Sequence, residues 1–317
     1  MEPTIPYKDY ADRPVYTNYH DLLKKIMEKG TDKKVIHSTL KENQGSGHEF
    51  VRERTGEVLD FDMENGFPVL PIRDLSKSYK GAIGELVAFL NGATTLEQLK
   101  EYGCPEIFWE RWVTKDKTDL LGLPEHSLGA GSYGGSLVHF TVDGEREFDQ
   151  VKALESQMKA IPMLRTHVLT TWNPALSMGD DAQGFRRKVS VAPCHGNFVH
   201  FSLFPEKKEL QLTHMQRSAD VPVGLVLNLT EWATLGLMAA HILGYKFTRY
   251  THFVSNAHIY DIQFDAVKTL LDREPRRLPT LKIKLDCSAK SLKDFRKTDF
   301  ILEDYEPHEH MNIVTPV

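Results

Sequence analysis

Apolar residues recur at helical spacing in three stretches of the chain. Tyr19, Leu22, Leu23, Ile26 and Met27 predict one amphipathic helix, with Gly30 placed to end it in a left-handed cap. Ile83, Leu86, Val87 and Leu90 predict a second, closed by Gly92. Phe148, Val151, Leu154, Met158 and Ile161 predict a third. Residues 229–243 differ: Trp232, Ala233, Leu235, Leu237, Met238 and Ile242 make that segment apolar almost all round, the pattern of a helix buried in the middle of a structure. Residues 198–204 and 210–216 flank the polar stretch 205–209 and read as a β-hairpin. Residues 247–254, rich in aromatic and β-branched side chains, predict another strand. No repeat or linker divides the sequence. The expectation is one α+β domain over residues 1–317, with a large mixed β-sheet packed by helices.

Composition narrows the function. A chain of 317 residues that is 41% hydrophobic buries a large core. A formal charge of −5 argues against a surface built for a nucleic-acid backbone, whereas an anionic small molecule needs only a few local arginines. Three cysteines, Cys104, Cys194 and Cys287, predict a reducing compartment rather than a disulfide framework. The first residues lack a basic stretch followed by an apolar one, and no uncharged apolar run is long enough to cross a bilayer. The expectation is a cytoplasmic protein without a membrane partner.

The hairpin gathers the chemistry. If it turns near residue 206 or 207, pairing brings Cys194 within a few residues of Arg217 and Ser218. A guanidinium beside a thiol stabilises the thiolate, the form that attacks carbon. The residues alone leave an inert packed cysteine, with Arg217 in an ordinary ion pair, as the commoner reading. A hydrolase built on Cys194 and His195 is disfavoured, because adjacent strand residues point to opposite faces.

Longer motifs change that balance. Pro193-Cys194-His195, then Gln216-Arg217-Ser218-Ala219-Asp220 with Gly224 and Asn228, then Asn256-Ala257-His258-Ile259-Tyr260 resemble the central motifs of the folate-dependent thymidylate synthase family. Gly66-Phe67-Pro68, the stretch 85–92, Trp109 with Trp112, Ser132-Tyr133-Gly134, Trp172-Asn173 and Tyr305-Glu306-Pro307-His308 with Val317 extend the resemblance over most of the chain. It implies reductive methylation of dUMP by 5,10-methylenetetrahydrofolate, without a metal. Cys194 would add to C6 of the uracil, Glu85 would relay protons, and Tyr133 would assist removal of the C5 proton. His195 and Arg217 complete the implied catalytic set. Arg165, Gln216, Arg217, Ser218, Asp220, His258 and Tyr260 would bind the nucleotide. Asn228 would read the base, since a carboxamide offers both a donor and an acceptor to the N3–H and O4 edge of uracil. Trp109, Trp112, Asp220, Gly224 and Val317 would line the folate pocket. A homodimer is also implied, with Arg165 donated across the interface.

The family pattern is broken in places. Thr166 stands where a second arginine is expected beside Arg165, and residues 44–47, Gln-Gly-Ser-Gly, replace an Arg-Thr-Gly phosphate loop. Two readings of residues 45–47 stand side by side: a backbone nest, helped by Arg52, Arg54 or His167, that substitutes for the missing cations, or a flexible surface turn. Ala88 replaces a tryptophan, Val226-Leu227 replaces Pro-Phe, and residues 177–188 look like an insertion. These changes keep open a pyrimidine deoxynucleotide 5-hydroxymethylase, acting on dUMP or dCMP on the same scaffold. An RNA-binding regulator is disfavoured by the acidic charge.

Overall fold

The computed structural model of the chain describes residues 4–34, 50–141, 146–178, 184 and 187–315. Its helices are α1 (Asn18–Lys29), α2 (Tyr79–Leu90), α3 (Leu96–Glu101), α4 (Lys115–Leu121), α5 (Tyr133–Val138), α6 (Gln150–Ala160), α7 (Pro174–Ser177), α8 (Val226–Leu243) and α9 (Phe264–Leu271). Its strands are β1 (Thr31–Lys34), β2 (Phe50–Asp62), β3 (Phe140–Thr141), β4 (Glu147–Phe148), β5 (Val168–Leu169), β6 (Phe198–Phe204), β7 (Glu209–Asp220), β8 (Lys246–Tyr260), β9 (Thr280–Ile283) and β10 (Phe300–Glu303). Six strands form the main sheet in the order β1-β2-β8-β7-β6-β5. Neighbours are antiparallel except β7 and β8, which run parallel. The fold is thus a mixed α+β domain around one large sheet.

Parallel strands require a long crossover, and here α8 supplies it. The run Val221–Leu243 is long and apolar enough to cross a membrane by composition, yet it is the core helix, most of it buried within the protein. Gly236 marks its closest approach to the sheet: a Cβ there would lie 2.4 Å from the ring of Phe247. Helix α2 packs against α8 and is buried on nearly every side. Along β7 the inward residues are Leu210, Leu212, His214 and Gln216, so the alternation turns from apolar to polar as the strand nears its C-terminal end. On the other face of the sheet Phe198, Met215, Phe253 and Val58 stand side by side across four strands. All four are at least partly exposed.

Both the hairpin and the buried helix form as expected, while two local details differ. Gly30 follows α1 with φ −72° and ψ 159°, an extended conformation rather than a left-handed cap; Gly92, with φ 82°, does adopt the left-handed form. The stripe of the third helix is shorter than its spacing suggested. Phe148 and Ile161 fall outside α6 and are exposed, leaving Val151, Leu154 and Met158 as its buried face.

Candidate active site

Cys194 lies in a cleft of about 400 Å³ floored by the loop before β6 and by the start of α8. Pairing of the hairpin continues past the strands: the Ser218 N–H donates to Cys194 O at 3.2 Å. The next turn is constrained by Gly196, whose φ is 66° and whose missing Cβ would meet the Trp232 ring at 2.4 Å. Tyr133, at the start of α5, reaches both functional atoms of the cysteine. Its hydroxyl oxygen accepts the Cys194 N–H at 2.9 Å and lies 3.3 Å from Sγ.

An aromatic wall rises on one side of the sulfur. Phe89 stacks on Tyr133 with ring centroids 4.6 Å apart, and Tyr133 sits 4.4 Å from His195. Trp109 meets Phe89 edge-on at 6.0 Å. Glu85, on α2, closes the wall. One oxygen accepts the Trp109 indole N–H at 2.5 Å and lies 3.9 Å from the Cys104 thiol. Burial lifts its pKa from 4.5 to about 7, against the opposing pull of those two donors, so this carboxyl exchanges a proton near neutrality. His195 is the reverse case. Burial takes its pKa to about 3, and its Nδ1 accepts the Trp232 N–H at 2.9 Å, so the ring is neutral and Nδ1 carries no proton. Its 3.6 Å approach to Glu231 is therefore not an ion pair.

Asn228 also lines the cleft, held by Gln216, whose amide NH₂ donates to Asn228 Oδ1 at 2.9 Å and to Ser218 O at 3.0 Å. Trp112, Val223, Gly224 and Leu227 line it too, with Thr315 of the C-terminal tail. The tail is clipped down by Gln263, which donates to Val314 O at 2.9 Å and to both oxygens of Asp220. Burial raises Asp220 to about 7. His258 is its register partner on β8, neutral through burial with a pKa near 4, and is packed edge-on to Tyr260.

A sequence model of the thymidylate synthase family matches residues 17–317. The chain belongs to the thymidylate synthase family. Members are methyltransferase-type enzymes of nucleotide biosynthesis, and methylenetetrahydrofolate is the one-carbon donor they generally use.

In this member of the thymidylate synthase family, the structure collects Cys194, His195, Tyr133, Glu85, Trp109 and Asn228 into one cleft, with Gln216 hydrogen-bonded to Asn228 and to Ser218 O. Arg165 is not among them; it is exposed and does not line this cleft. Val317 and residues 45–47 lie outside the described residues. Three expectations for the anion site are corrected. Arg52 is bound to both oxygens of Asp32 at 2.6 and 2.9 Å, and Arg54 to Glu57 at 2.6 Å, so neither cation is free for a phosphate. His167 is fully buried and cannot reach a ligand in this form. Arg217 itself does not touch the sulfur. Its guanidinium donates to Pro193 O at 3.3 Å and Ala192 O at 3.4 Å and lies over Trp172. Burial raises the Cys194 pKa, and the lowering by Tyr133 and Arg217 does not overcome it. Burial thus favours the thiol form of the resting sulfur.

Sequence reading missed Cys104, Glu231 and the buried pair His214 and His252. Glu231 was within reach: it follows Asn228 by three residues on an apolar helix, and that spacing places both on one face. The histidines come from different strands, and nothing in the sequence joins them.

Proposed function

We propose that the chain is a thymidylate synthase in the strict sense, converting dUMP and 5,10-methylenetetrahydrofolate to dTMP and dihydrofolate. The observation that carries this reading is the placement of Cys194 Sγ, the Tyr133 hydroxyl, the Glu85 carboxyl and the Asn228 amide around one cleft. Cys194 loses its proton as the sulfur bonds to C6 of the uracil, and electron density passes to C5 and O4. Tyr133 donates to the sulfur and Arg217 adds positive potential, both favouring the anion that burial disfavours in the free enzyme. C5 then bonds to the folate methylene. Loss of the C5 proton expels the folate nitrogen, hydride from the pterin reduces the exocyclic methylene to methyl, and the C6–S bond breaks. Glu85, titrating near 7 beside the base, supplies and removes the protons of these steps. Trp109, hydrogen-bonded to it, keeps water from the exocyclic methylene before hydride arrives.

Arg217 is the cation proposed for the phosphate, and Arg165 the one reaching it from a second copy of the chain. Support for that dimer comes from the open sheet face, where Phe198, Met215, Phe253 and Val58 make an apolar row that another copy would cover.

Incubation with dUMP and methylenetetrahydrofolate, followed by mass spectrometry of the nucleotide, tests the reaction. A gain of CH₂ with dihydrofolate released is expected. A gain of CH₂O would make the enzyme a hydroxymethylase, with water in place of hydride.

A further inference from the structure

Behind the cleft, a chain of buried hydrogen bonds joins the turn after the nucleophile to Asn228, through side chains that no step of the reaction uses. It starts at a group that can only donate. The Gly196 N–H gives its hydrogen to His214 Nε2 at 2.7 Å. The proton of that neutral ring therefore sits on Nδ1, which faces the Tyr250 oxygen at 3.4 Å and His252 Nδ1 at 3.2 Å. Because a hydrogen on His252 Nδ1 would point at the hydrogen on His214 Nδ1, that nitrogen is left to accept, and Tyr250 gives it its hydroxyl proton at 2.7 Å. His252 must then carry its own hydrogen on Nε2, where it meets Gln216 Oε1 at 2.9 Å. With its oxygen occupied there, Gln216 can present only NH₂ to Asn228 Oδ1, at 2.9 Å. The Asn228 NH₂ is left facing Glu231 Oε2 at 3.4 Å.

Each link fixes the direction of the next, and no water competes, since His214, Tyr250, His252 and Glu231 are fully buried. Burial, helped by repulsion from neighbouring imidazoles, keeps both rings neutral, as one-donor, one-acceptor rings require.

We propose that this one-way relay locks the Asn228 amide in a single orientation, making His214, Tyr250 and His252 determinants of which pyrimidine the cleft accepts. The inference rests on the proposed nucleotide reading. Uracil offers a donor at N3 and an acceptor at O4; cytosine offers an acceptor at N3 and a donor at its 4-amino group. One amide orientation suits one base, and the other base requires the amide to turn over. Turning it would set the Asn228 NH₂ against the Gln216 NH₂, two donors facing each other away from water. A penalty of that kind is worth on the order of ten- to a hundredfold in discrimination. His252 is thus a positioning residue: it touches no substrate and acts through Gln216.

The test compares kcat/KM for dUMP and dCMP, with product identified by mass, in the wild type, His252→Phe and His252→Gln. Wild type is expected to favour dUMP strongly. His252→Phe keeps a ring in the core but breaks the relay, and its dUMP preference is expected to fall at least tenfold. His252→Gln, whose amide NH₂ can still donate to Gln216, is expected to recover most of the preference, a rescue that packing alone does not explain. If His252→Phe does not fold, Gln216→Met removes the next donor and carries the same comparison. An unchanged ratio in folded variants, or equal loss in the Phe and Gln variants, overturns the relay while leaving the proposed reaction intact. A wild type that uses dUMP and dCMP equally also overturns it, whereas one that uses neither overturns the nucleotide reading itself.

Discussion

The two ends of the cleft are built on different principles. At the end holding Asn228, Glu85 and Tyr133, the functional side chains project from α2, α5 and α8 and from β7, and their polar atoms are tied to one another. At the end holding Arg217, the residue is exposed, and its guanidinium donates to main-chain carbonyls of the loop leading into Cys194 and lies over Trp172. The first end is preorganised, and binding there costs little reordering. The second holds the cation proposed for the phosphate. On the proposed reading, base chemistry falls to the first end and anion recognition to the second.

Four substitutions and one titration sharpen that contrast. Cys194→Ala is expected to lower turnover of dUMP by on the order of 10⁴-fold or more, with circular dichroism and oligomeric state unchanged. Near-normal dihydrofolate release would remove the sulfur from the mechanism. Glu85→Gln is expected to cost about 10²- to 10⁴-fold in kcat, with a smaller change in KM, because the amide keeps the Trp109 contact but cannot exchange a proton. A loss confined to KM would reassign Glu85 to binding alone.

At the other end the expected effect is smaller and of a different kind. Arg217→Ala is expected to raise KM for dUMP by roughly ten- to a hundredfold, the worth of a charge-assisted hydrogen bond, while affinity for deoxyuridine changes little. Arg52→Ala, which breaks an ion pair with Asp32, is expected to leave both unchanged within about twofold. The opposite ranking of the two arginines would move the anion site.

The smallest effect is on stability. Glu85 and Asp220 hold protons in the folded state up to about pH 7, whereas in the unfolded chain they release them near 4.5 and 3.8. The native state binds more protons over that window, so stability falls as pH rises through it. His195, His252 and His258 have the opposite sign. Their folded pKa values, about 3, 3 and 4, lie below 6.5, so stability is lost as pH falls below 6.5. Thermal melts are expected to peak between about pH 5 and 7, and Glu85→Gln is expected to flatten the alkaline flank. A wild-type curve still rising above pH 8 would contradict the burial of these carboxyls as neutral groups.

The same division governs what the chain reveals before folding. Periodicity exposes the hairpin, the buried helix and the approach of Cys194 to Ser218, because these depend on local spacing and one short-range pairing. The protonation state of Cys194 was not legible. Proximity of a guanidinium argues for a thiolate, but the raised pKa comes from burial in the folded protein, which no local window contains. Arg52 shows the same failure: a free cation in sequence becomes a satisfied one when β1 brings Asp32 beside it. Gly30 shows that a glycine after a helix permits a left-handed cap without compelling one.

The most direct measurement is covalent capture. Incubation with 5-fluoro-dUMP and methylenetetrahydrofolate should stall the reaction where C5 would lose its proton, since fluorine cannot leave as a cation. Peptide mass spectrometry is expected to find nucleotide and folate together on the peptide containing Cys194. An unmodified Cys194 in protein that binds both ligands, or an adduct on Cys104 or Cys287 instead, would contradict the assignment of the nucleophile.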